Sequence, residues 1–268
     1  MNEAIIDAFV VSYPKCGRTW LRMMLGTSIN EAYQLGLRVE ELTEIRSMTK
    51  KHPDVPVIRF THDNRAHTKT FDELGQKVAN RYSNILVILL VRDPRDVVIS
   101  YYYQYKFRGD KYAARDDGFD KSLDDFMFYD IGGIRHIVHF YNRWSDWVSK
   151  KSNCTVIRFE EMLTRPNEVL QEVVEFTGLN KVTIDNIEHA VEMCKYERLK
   201  KLEKRGVLNS KRYGGKNENE RKVRKGGASD WKSKLSRDTA RNVEQYICSK
   251  LSDKFSFYKY NSFNEGTL

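Results

Sequence analysis

The sequence predicts an α/β fold of three layers, in which a central, mostly parallel sheet is flanked by helices. Short runs rich in Val and Ile are separated by longer stretches with the apolar spacing of helices, and this alternation is typical of parallel sheets. The run NILVILLVR shows no polar alternation, as expected of a central strand covered on both faces. The 268 residues include only 5 prolines and no Pro-, Gly- or Ser-rich linker, which favours a single domain over residues 1–268.

The individual elements follow from the same periodicity, taken in chain order. Four strands are predicted in AIIDAFVVSY, PVIRF, NILVILLVR and CTVIRF. Helices are predicted over Thr19 to Tyr33, Asp96 to Phe107, Ile134 to Val148, Pro166 to Phe176, Ile184 to Glu203 and Asp238 to Lys250. Trp144 and Trp147 lie at helical spacing in the third helix, which favours core packing. Ligands bind open parallel sheets at the carboxyl ends of the strands, so two of the turns after strands are candidate sites.

Charge and cysteine content narrow the class of protein. A net charge of +9 indicates an anionic partner, although the sign alone does not choose between nucleic acid, a membrane surface and a small phosphate ligand. The 4 cysteines form no CxxC pair, which predicts free thiols in a reducing compartment. The N-terminal apolar run is too short for a signal peptide and no later run reaches membrane-spanning length, so we expect a cytoplasmic protein with no transmembrane segment.

The stretch SYPKCGRTWLRMML, Ser12 to Leu25, places a lysine and a glycine in a tight turn between a strand and a helix. Such a turn directs backbone N–H groups and the positive end of the helix dipole at one point, which suits an anion. Lys15 adds a positive charge, Gly17 permits close approach of the backbone, and Thr19 adds a hydroxyl. Trp20 offers a flat aromatic surface on which a nucleotide base can stack. The alternative is a solvated turn with an incidental lysine and a core tryptophan.

A second turn, in ILLVRDPRDVVISYYYQY, joins the third strand to a helix. Asp93 suits the N-cap, Pro94 the first helical position and Asp96 the first turn. The start of the helix does not explain Arg92 and Ser100. Ser100 lies seven residues, about two turns, after Asp93 and therefore on nearly the same helix face. The side chains of Arg92 and Ser100 can thus reach one anion. The alternative is a surface arginine and a packed serine.

A third segment, VRKGGASDWKSKLS, lies near the C-terminus and combines Arg224 and Lys225 with two glycines and then a tryptophan. A Gly-rich backbone flanked by Arg and Lys can wrap a phosphate group. The alternative is a mobile, solvated basic loop, which is what charge runs usually form.

In this order, the three segments resemble the cytosolic-type sulfotransferase family, whose donor is 3'-phosphoadenosine 5'-phosphosulfate (PAPS), and the resemblance covers nearly the whole chain. YPKCGRTWL is similar to the family's 5'-phosphosulfate loop, VRDPRDVVISYY to its 3'-phosphate strand and helix, and VRKGGASDWK to its RKGxxGDWK element. The resemblance implies a P-loop-like fold. It also implies an enzyme that moves a sulfuryl group from PAPS to a hydroxyl or amine of a small-molecule, saccharide or glycolipid acceptor, leaving adenosine 3',5'-bisphosphate.

Carried over by position, the resemblance implies two groups of donor-binding residues. The group around the 5'-phosphosulfate and adenine is Lys15, Cys16, Gly17, Arg18, Thr19, Trp20 and Tyr196. The group around the 3'-phosphate is Arg92, Ser100, Arg224, Lys225 and Gly226. The chain departs from the family at Phe159, where a tyrosine hydroxyl is lost, and at Ser229, which replaces the glycine before Asp230.

The family's catalytic histidine follows the second strand in a KTH element, and RFTHDN places His62 at that position. The resemblance implies that His62 takes the proton of the acceptor while Lys15 stabilises charge on the departing phosphate oxygen. An imidazole with its ordinary pKa of about 6.5 offers a neutral base near neutral pH. Phe60 stands where the family has lysine, with Arg59 one residue early, and Asp63 is the rival base.

Two other classes of function stay open on the residues alone. One is a P-loop-type kinase, although the pattern G-x-x-x-x-G-K-[ST] is absent because the lysine precedes the only glycine of the turn. The other is a basic nucleic-acid-binding module, supported by the net charge and by Lys211 to Lys225. We expect no metal, since His and Cys show no ligand spacing. We also expect no nucleic acid partner, because Asp116 to Asp125 is locally acidic and the basic residues do not form one uniform face.

The sequence does not identify the acceptor, nor whether oxygen or nitrogen is sulfated. The acidic insert Ala113 to Phe126 and the aromatic helix face YYYQYKF are candidates for choosing it, and their alternatives are a solvated loop and ordinary core packing. Homo-oligomerisation also stays open, because the family's short C-terminal dimer pattern is not reproduced in KSKLSRDTARNVE.

Overall fold

The computed structural model describes residues 6–75, 77–78, 80–108, 121–208 and 227–259. Within these ranges a four-stranded sheet forms the centre of the fold. Its strands are β1 (Ala8–Ser12), β2 (Ile58–Thr61), β3 (Leu86–Val91) and β4 (Cys154–Arg158), in the order β2-β1-β3-β4. All the pairings are parallel, as predicted. The two central strands are buried along almost their whole length, which explains why β3 lacks polar alternation.

The register places the carboxyl ends of the strands level with one another. The pairs at this end are Val11 with Thr61, Ser12 with Leu90 and Val91 with Arg158. The turn after β1 therefore lies at the same edge of the sheet as His62, Arg92 and Phe159, which directly follow the other three strands. This edge is where a ligand is expected in a parallel sheet.

Helices flank the sheet in two groups, one containing α1, α8 and α9 and the other containing α4, α5 and α6. The helices of the described residues are α1 (Arg18–Ala32), α2 (Ile45–Lys51), α3 (Phe71–Leu74), α4 (Pro94–Arg108), α5 (Leu123–Met127), α6 (Ile134–Lys150), α7 (Phe159–Thr164), α8 (Pro166–Phe176), α9 (Ile184–Met193), α10 (Tyr196–Lys204), α11 (Trp231–Lys234) and α12 (Arg237–Lys250). Short 3-10 segments are Val39–Glu41, Ala66–Thr68, Asn80–Tyr82 and Asp253–Tyr258. Five of the six predicted helices are confirmed, with ends that differ by at most two residues.

The continuous helix predicted over Ile184 to Glu203 is wrong. The structure has two helices there, α9 and α10, separated at Cys194 and Lys195. The Cys194 carbonyl accepts a hydrogen bond from the indole Nε1–H of Trp20 at 2.9 Å, so this tertiary contact uses a group at the junction of the two helices. No glycine or proline marks the break in the sequence.

The core is formed by buried residues of the sheet and of the helices packed on it, among them α1, α6 and α8. Trp144 is fully buried, as predicted, and its ring centroid lies 5.2 Å from that of Tyr82, which in turn contacts Phe9 on β1. All four thiols are free, and burial raises the pKa of Cys16 and Cys194 to about 12, so both stay protonated and unreactive at neutral pH. None of the described helices is long and apolar enough to cross a membrane.

Candidate functional site

The turn after β1 has a backbone that only a glycine permits at its centre. Gly17 has φ +88° and is the N-cap of α1, and a Cβ atom added there would lie 2.4 Å from Cδ2 of Phe159. Lys15 also has a positive φ, at +74°. The tight turn therefore ends directly at the first N–H groups of a 15-residue helix, which is the arrangement that binds anions.

Lys15 reaches from this turn to α4. Its Nζ donates a hydrogen bond to Oε1 of Gln104 at 3.0 Å. Gln104 lies four and eight residues after Ser100 and Asp96, so the three side chains share one face of α4. Ser100 is half-buried on this face and lies between Gln104 and the start of the helix.

Arg92 joins the first and second turns to the third segment. Its Nη1 donates to the Lys15 carbonyl oxygen at 3.1 Å and its Nη2 donates to the Gly227 carbonyl oxygen at 3.0 Å. Its Nε is buried and has no hydrogen-bond partner among the described residues. The three segments that the sequence analysis selected therefore meet at one guanidinium group.

Phe159 fills the space between the first two turns. Its ring lies 4.3 Å below the Arg92 guanidinium carbon, and its centroid is 6.0 Å from that of Trp20 in an edge-to-face contact. It also occupies the space next to Gly17. Phe159 lacks the hydroxyl of the family's tyrosine, but its ring makes a cation–π contact with Arg92 beside the turn.

Trp20 and Tyr196 are both associated with the junction between α9 and α10. The hydrogen bond from Trp20 to Cys194 ties the tryptophan to the junction between α9 and α10, and Tyr196, half-buried, is the first residue of α10. Tyr196 therefore follows the Cys194 carbonyl that binds Trp20 by two residues, and the two candidate adenine-side aromatic residues lie near the same junction.

Asp93 caps α4 as predicted. Its Oδ1 accepts the backbone N–H of Arg95 at 2.9 Å, and Pro94 is the first helical residue. The buried Arg95 guanidinium donates to both carboxylate oxygens at 2.8 Å. Asp93 thus fixes the start of α4 directly beside Arg92.

Asp96 has a role that the sequence analysis did not predict, because it binds the C-terminal segment. Its Oδ2 accepts the backbone N–H of Ser229 at 2.6 Å and its Oδ1 accepts that of Trp231 at 3.1 Å. Ser229 has φ +64°, the conformation in which the family's glycine is favoured. Arg224, Lys225 and Gly226 lie outside the described residues, as do residues 113–120 of the acidic insert.

The pKa of Asp96 is raised from its ordinary value of 3.8 to about 6 by burial and by the nearby Asp93, an effect that Arg92 and the two backbone N–H groups oppose. Because the folded state holds this proton more tightly than the unfolded chain, the stabilisation is present below about pH 4 and is lost as the pH rises through about 6. We therefore expect the wild type to gain about 1 kcal/mol relative to Asp96→Asn between pH 7 and pH 5. Urea unfolding of both proteins at these pH values measures the difference, and a constant difference contradicts the prediction.

His62 follows β2 and is held by the end of β1. Its Nδ1 lies 2.8 Å from the Ser12 carbonyl oxygen. A carbonyl oxygen only accepts, so Nδ1 carries the proton and, in the neutral ring, the lone pair is on Nε2. This is the tautomer that a general base requires. The Arg22 guanidinium carbon lies 4.2 Å from the centroid of Phe60, so a buried arginine stacks on the residue that stands at the family's lysine position.

Asp63, the rival base, is engaged in ion pairs. Its carboxylate is buried and accepts hydrogen bonds from Arg81, Tyr82 and Arg143. Both carboxylate oxygens are therefore occupied by hydrogen bonds within the protein. His62 is therefore the better placed of the two candidates.

Three residues of this site were missed in the sequence: Gln104, Asp96 in its anchoring role, and Tyr141. The Tyr141 hydroxyl donates to the Arg92 carbonyl oxygen at 2.7 Å, accepts the Arg92 N–H at 3.0 Å and lies 3.6 Å from Sγ of Cys16. The spacing of four from Ser100 was a signal for Gln104, whereas nothing local distinguishes Tyr141. In the described part of the chain, no group of three or more His, Cys, Asp or Glu side chains is placed to hold a metal ion.

Comparison with known proteins agrees with this geometry. The family model described as the sulfotransferase domain matches residues 6–255. A flavonol 3-sulfotransferase of Flaveria bidentis is 22% identical over 260 residues, which cover 91% of this chain and 81% of that protein. Cytosolic sulfotransferase 5 of Arabidopsis thaliana is 21% identical, with coverage of 92% and 80%.

Two solved structures share the fold. A retinol dehydratase in complex with androsterone and the inactive cofactor PAP has a TM-score of 0.63 and 17% identity, and the match covers 94% of this chain and 83% of that one. A mouse sulfotransferase complexed with PAP has a TM-score of 0.57 and 18% identity, with coverage of 94% and 88%.

Proposed function

Because the chain belongs to the sulfotransferase domain family, and is therefore an enzyme of sulfuryl transfer, we propose that its donor is PAPS, bound where the three segments meet. The acceptor is a hydroxyl or amine of a small molecule, saccharide or glycolipid. The relatives named for flavonols support a small hydroxylated acceptor, and the relatives named cytosolic support a cytoplasmic location for this chain.

The observation that carries the proposal is the double hydrogen bond of Arg92. One guanidinium contacts the carbonyl of Lys15 and the carbonyl of Gly227, residues that are 212 apart in the sequence. A donor with phosphate groups at both the 5' and 3' positions needs cations from two turns at one location. The contacts of Arg92 with Lys15 and Gly227 support such a location for the donor.

The residues fit an anionic donor on their own chemistry. The buried Nε of Arg92, without a hydrogen-bond partner among the described residues, is a donor that a phosphate oxygen satisfies, and its two Nη groups each carry a further N–H. Gly17 leaves the backbone of the turn open to close approach. We assign the 5' side to Lys15, Cys16, Gly17, Arg18 and Thr19. The 3' side is assigned to Arg92 and Ser100, with Arg224, Lys225 and Gly226 from the segment outside the described residues.

In the proposed reaction, His62 Nε2 takes the proton of the acceptor as the acceptor oxygen or nitrogen forms a bond to sulfur. The bond between sulfur and the 5'-phosphate oxygen breaks on the opposite side. Lys15 and the N–H groups at the start of α1 stabilise the negative charge that develops on that phosphate oxygen. Trp20 and Tyr196 supply flat surfaces for the adenine. Positioning and electrostatics account for the catalysis, so no metal is required.

Ligand-dependent stability tests the assignment of the donor. We expect adenosine 3',5'-bisphosphate to raise the melting temperature, by an amount that grows with its concentration, because it binds the folded state alone. ATP and a short oligonucleotide, measured in parallel, are expected to have much smaller effects. Stronger stabilisation by ATP supports the kinase alternative and by the oligonucleotide the nucleic-acid alternative, and either result contradicts the proposal. Incubation with PAPS and a flavonol, a steroid alcohol or an amino sugar, followed by mass detection of sulfated product, then identifies the acceptor class.

A further inference from the structure

The three residues that follow His62 adopt a left-handed conformation, which Asp and Asn tolerate as single residues but which is rare over three consecutive residues. Asp63, Asn64 and Arg65 have φ values of +48°, +54° and +60°, and none is a glycine. The N–H of Ala66 donates to the carbonyl oxygen of His62 at 2.8 Å and closes this stretch. The segment Asp63–Arg65 is therefore one left-handed helical turn, which L-residues disfavour because Cβ approaches the following carbonyl oxygen.

A buried ion cluster holds the first residue of this turn. Asp63 is only 5% exposed, and its Oδ1 accepts from Arg81 Nη2 at 3.2 Å and from the Tyr82 hydroxyl at 3.0 Å. Its Oδ2 accepts from Arg143 Nη1 at 3.2 Å. Arg143, on α6, is itself buried and also donates to the Lys77 carbonyl at 2.9 Å. Asp63 is thus fixed from two separate parts of the chain.

The left-handed turn and the ring of His62 are linked through the backbone. The His62 carbonyl accepts the bond that closes the turn, while its Nδ1–H donates to Ser12 at the end of β1. The conformation of the chain after His62 and the position of its ring therefore involve hydrogen bonds of the same residue. Strained backbone that the surrounding structure holds in place is found at functional sites, where it fixes a reacting group.

We propose that the left-handed turn, anchored by the Asp63 carboxylate, positions the His62 ring so that Nδ1–H binds Ser12 and Nε2 is the basic nitrogen. Asp63 is in this view a positioning residue and not the base. The inference rests on the proposed function only where it takes Nε2 to accept the proton of the sulfuryl acceptor. The conformation of the ring is a property of the protein without any substrate.

The test changes the backbone preference at Asn64, whose side chain is exposed. Asn64→Val disfavours the left-handed region because Val is β-branched, whereas Asn64→Gly accepts it without a Cβ clash. We expect the Val variant to lose about ten- to a hundredfold in turnover, as small misplacements of reacting groups do, and the Gly variant to stay within about threefold of wild type. The affinity for adenosine 3',5'-bisphosphate is expected to be unchanged in both.

A matched control uses Gln34, an exposed residue with φ +51° just after α1 and outside the candidate site. Gln34→Val imposes the same kind of backbone strain and should lower the melting temperature to a similar degree as Asn64→Val. Its turnover should remain that of wild type. An equal loss of turnover in both Val variants means that general destabilisation is the cause and overturns the proposal.

The deciding measurement needs no acceptor. Nitrogen-15 NMR of the imidazole distinguishes the Nδ1–H tautomer, expected for His62 in wild type and Asn64→Gly, from the mixture expected in Asn64→Val. A Val variant that keeps the Nδ1–H tautomer overturns the positioning role whatever its turnover. A Val variant that loses this tautomer but keeps full turnover leaves the positioning role intact and instead contradicts His62 as the base.

Discussion

Replacing His62 by alanine is expected to lower kcat by about 10² to 10⁴, the usual contribution of a general base, while affinity for adenosine 3',5'-bisphosphate changes little. The physical reason is the orientation of the ring. The hydrogen bond from Nδ1 to the Ser12 carbonyl leaves the lone pair on Nε2, whereas the proposed phosphate-binding side chains of Lys15 and Arg92 bind Gln104 and the carbonyls of Lys15 and Gly227. Steady-state turnover and calorimetric titration with the bisphosphate measure the two quantities.

Two further variants separate proton transfer from position. His62→Asn keeps a side-chain N–H that can donate to Ser12 but has no basic nitrogen, so it should be as slow as the alanine variant. His189→Ala removes a half-exposed histidine of α9 that is paired with Glu31 of α1, and it should retain full turnover. A His62→Asn variant with near wild-type kcat removes the imidazole from the chemistry.

The order of strands and helices was predictable because apolar runs, turn residues and helix caps are visible in short stretches of the sequence. Strands buried on both faces must be apolar throughout, so NILVILLVR identifies β3 without knowledge of its neighbours. The turn after β1 was equally visible, since Lys15 and Gly17 between a strand and a helix are typical of turns whose backbone geometry suits an anion. Asp93 and Pro94 marked the start of α4 in the same way.

The parts that were missed depend on contacts between distant segments. The break at Cys194 carries no glycine or proline, and the group at that junction is bound by Trp20 from another helix. The left-handed turn after His62 is held by Arg143, which lies 80 residues after Asp63. Asp63 and Asn64 are types that tolerate this conformation, but nothing local indicates the distant arginine that fixes it. Likewise Asp96 looked like an ordinary first-turn acid until Ser229 was found to donate to it.

Arg92→Ala is expected to weaken binding of adenosine 3',5'-bisphosphate by about ten- to a hundredfold, because a charge-assisted hydrogen bond to a phosphate contributes about 1.5–3 kcal/mol. The guanidinium has two functions that this variant removes at once. It donates to the carbonyls of Lys15 and Gly227, which joins the segments, and we propose that its remaining N–H groups bind the 3'-phosphate. Arg92→Lys keeps the charge but loses the fork that spans both carbonyls, so it should recover only part of the affinity.

Comparison of two nucleotides distinguishes these functions. If Arg92 binds the 3'-phosphate as well as joining the segments, its removal reduces affinity for adenosine 3',5'-bisphosphate by a larger factor than affinity for 5'-AMP, since 5'-AMP lacks that phosphate. If Arg92 only joins the segments, both affinities fall by the same factor, which contradicts the assigned 3' site. Arg165→Ala is the matched control, because it removes the same charge from a guanidinium that pairs with Glu161 and Glu172 on the surface, and both affinities should then remain those of wild type.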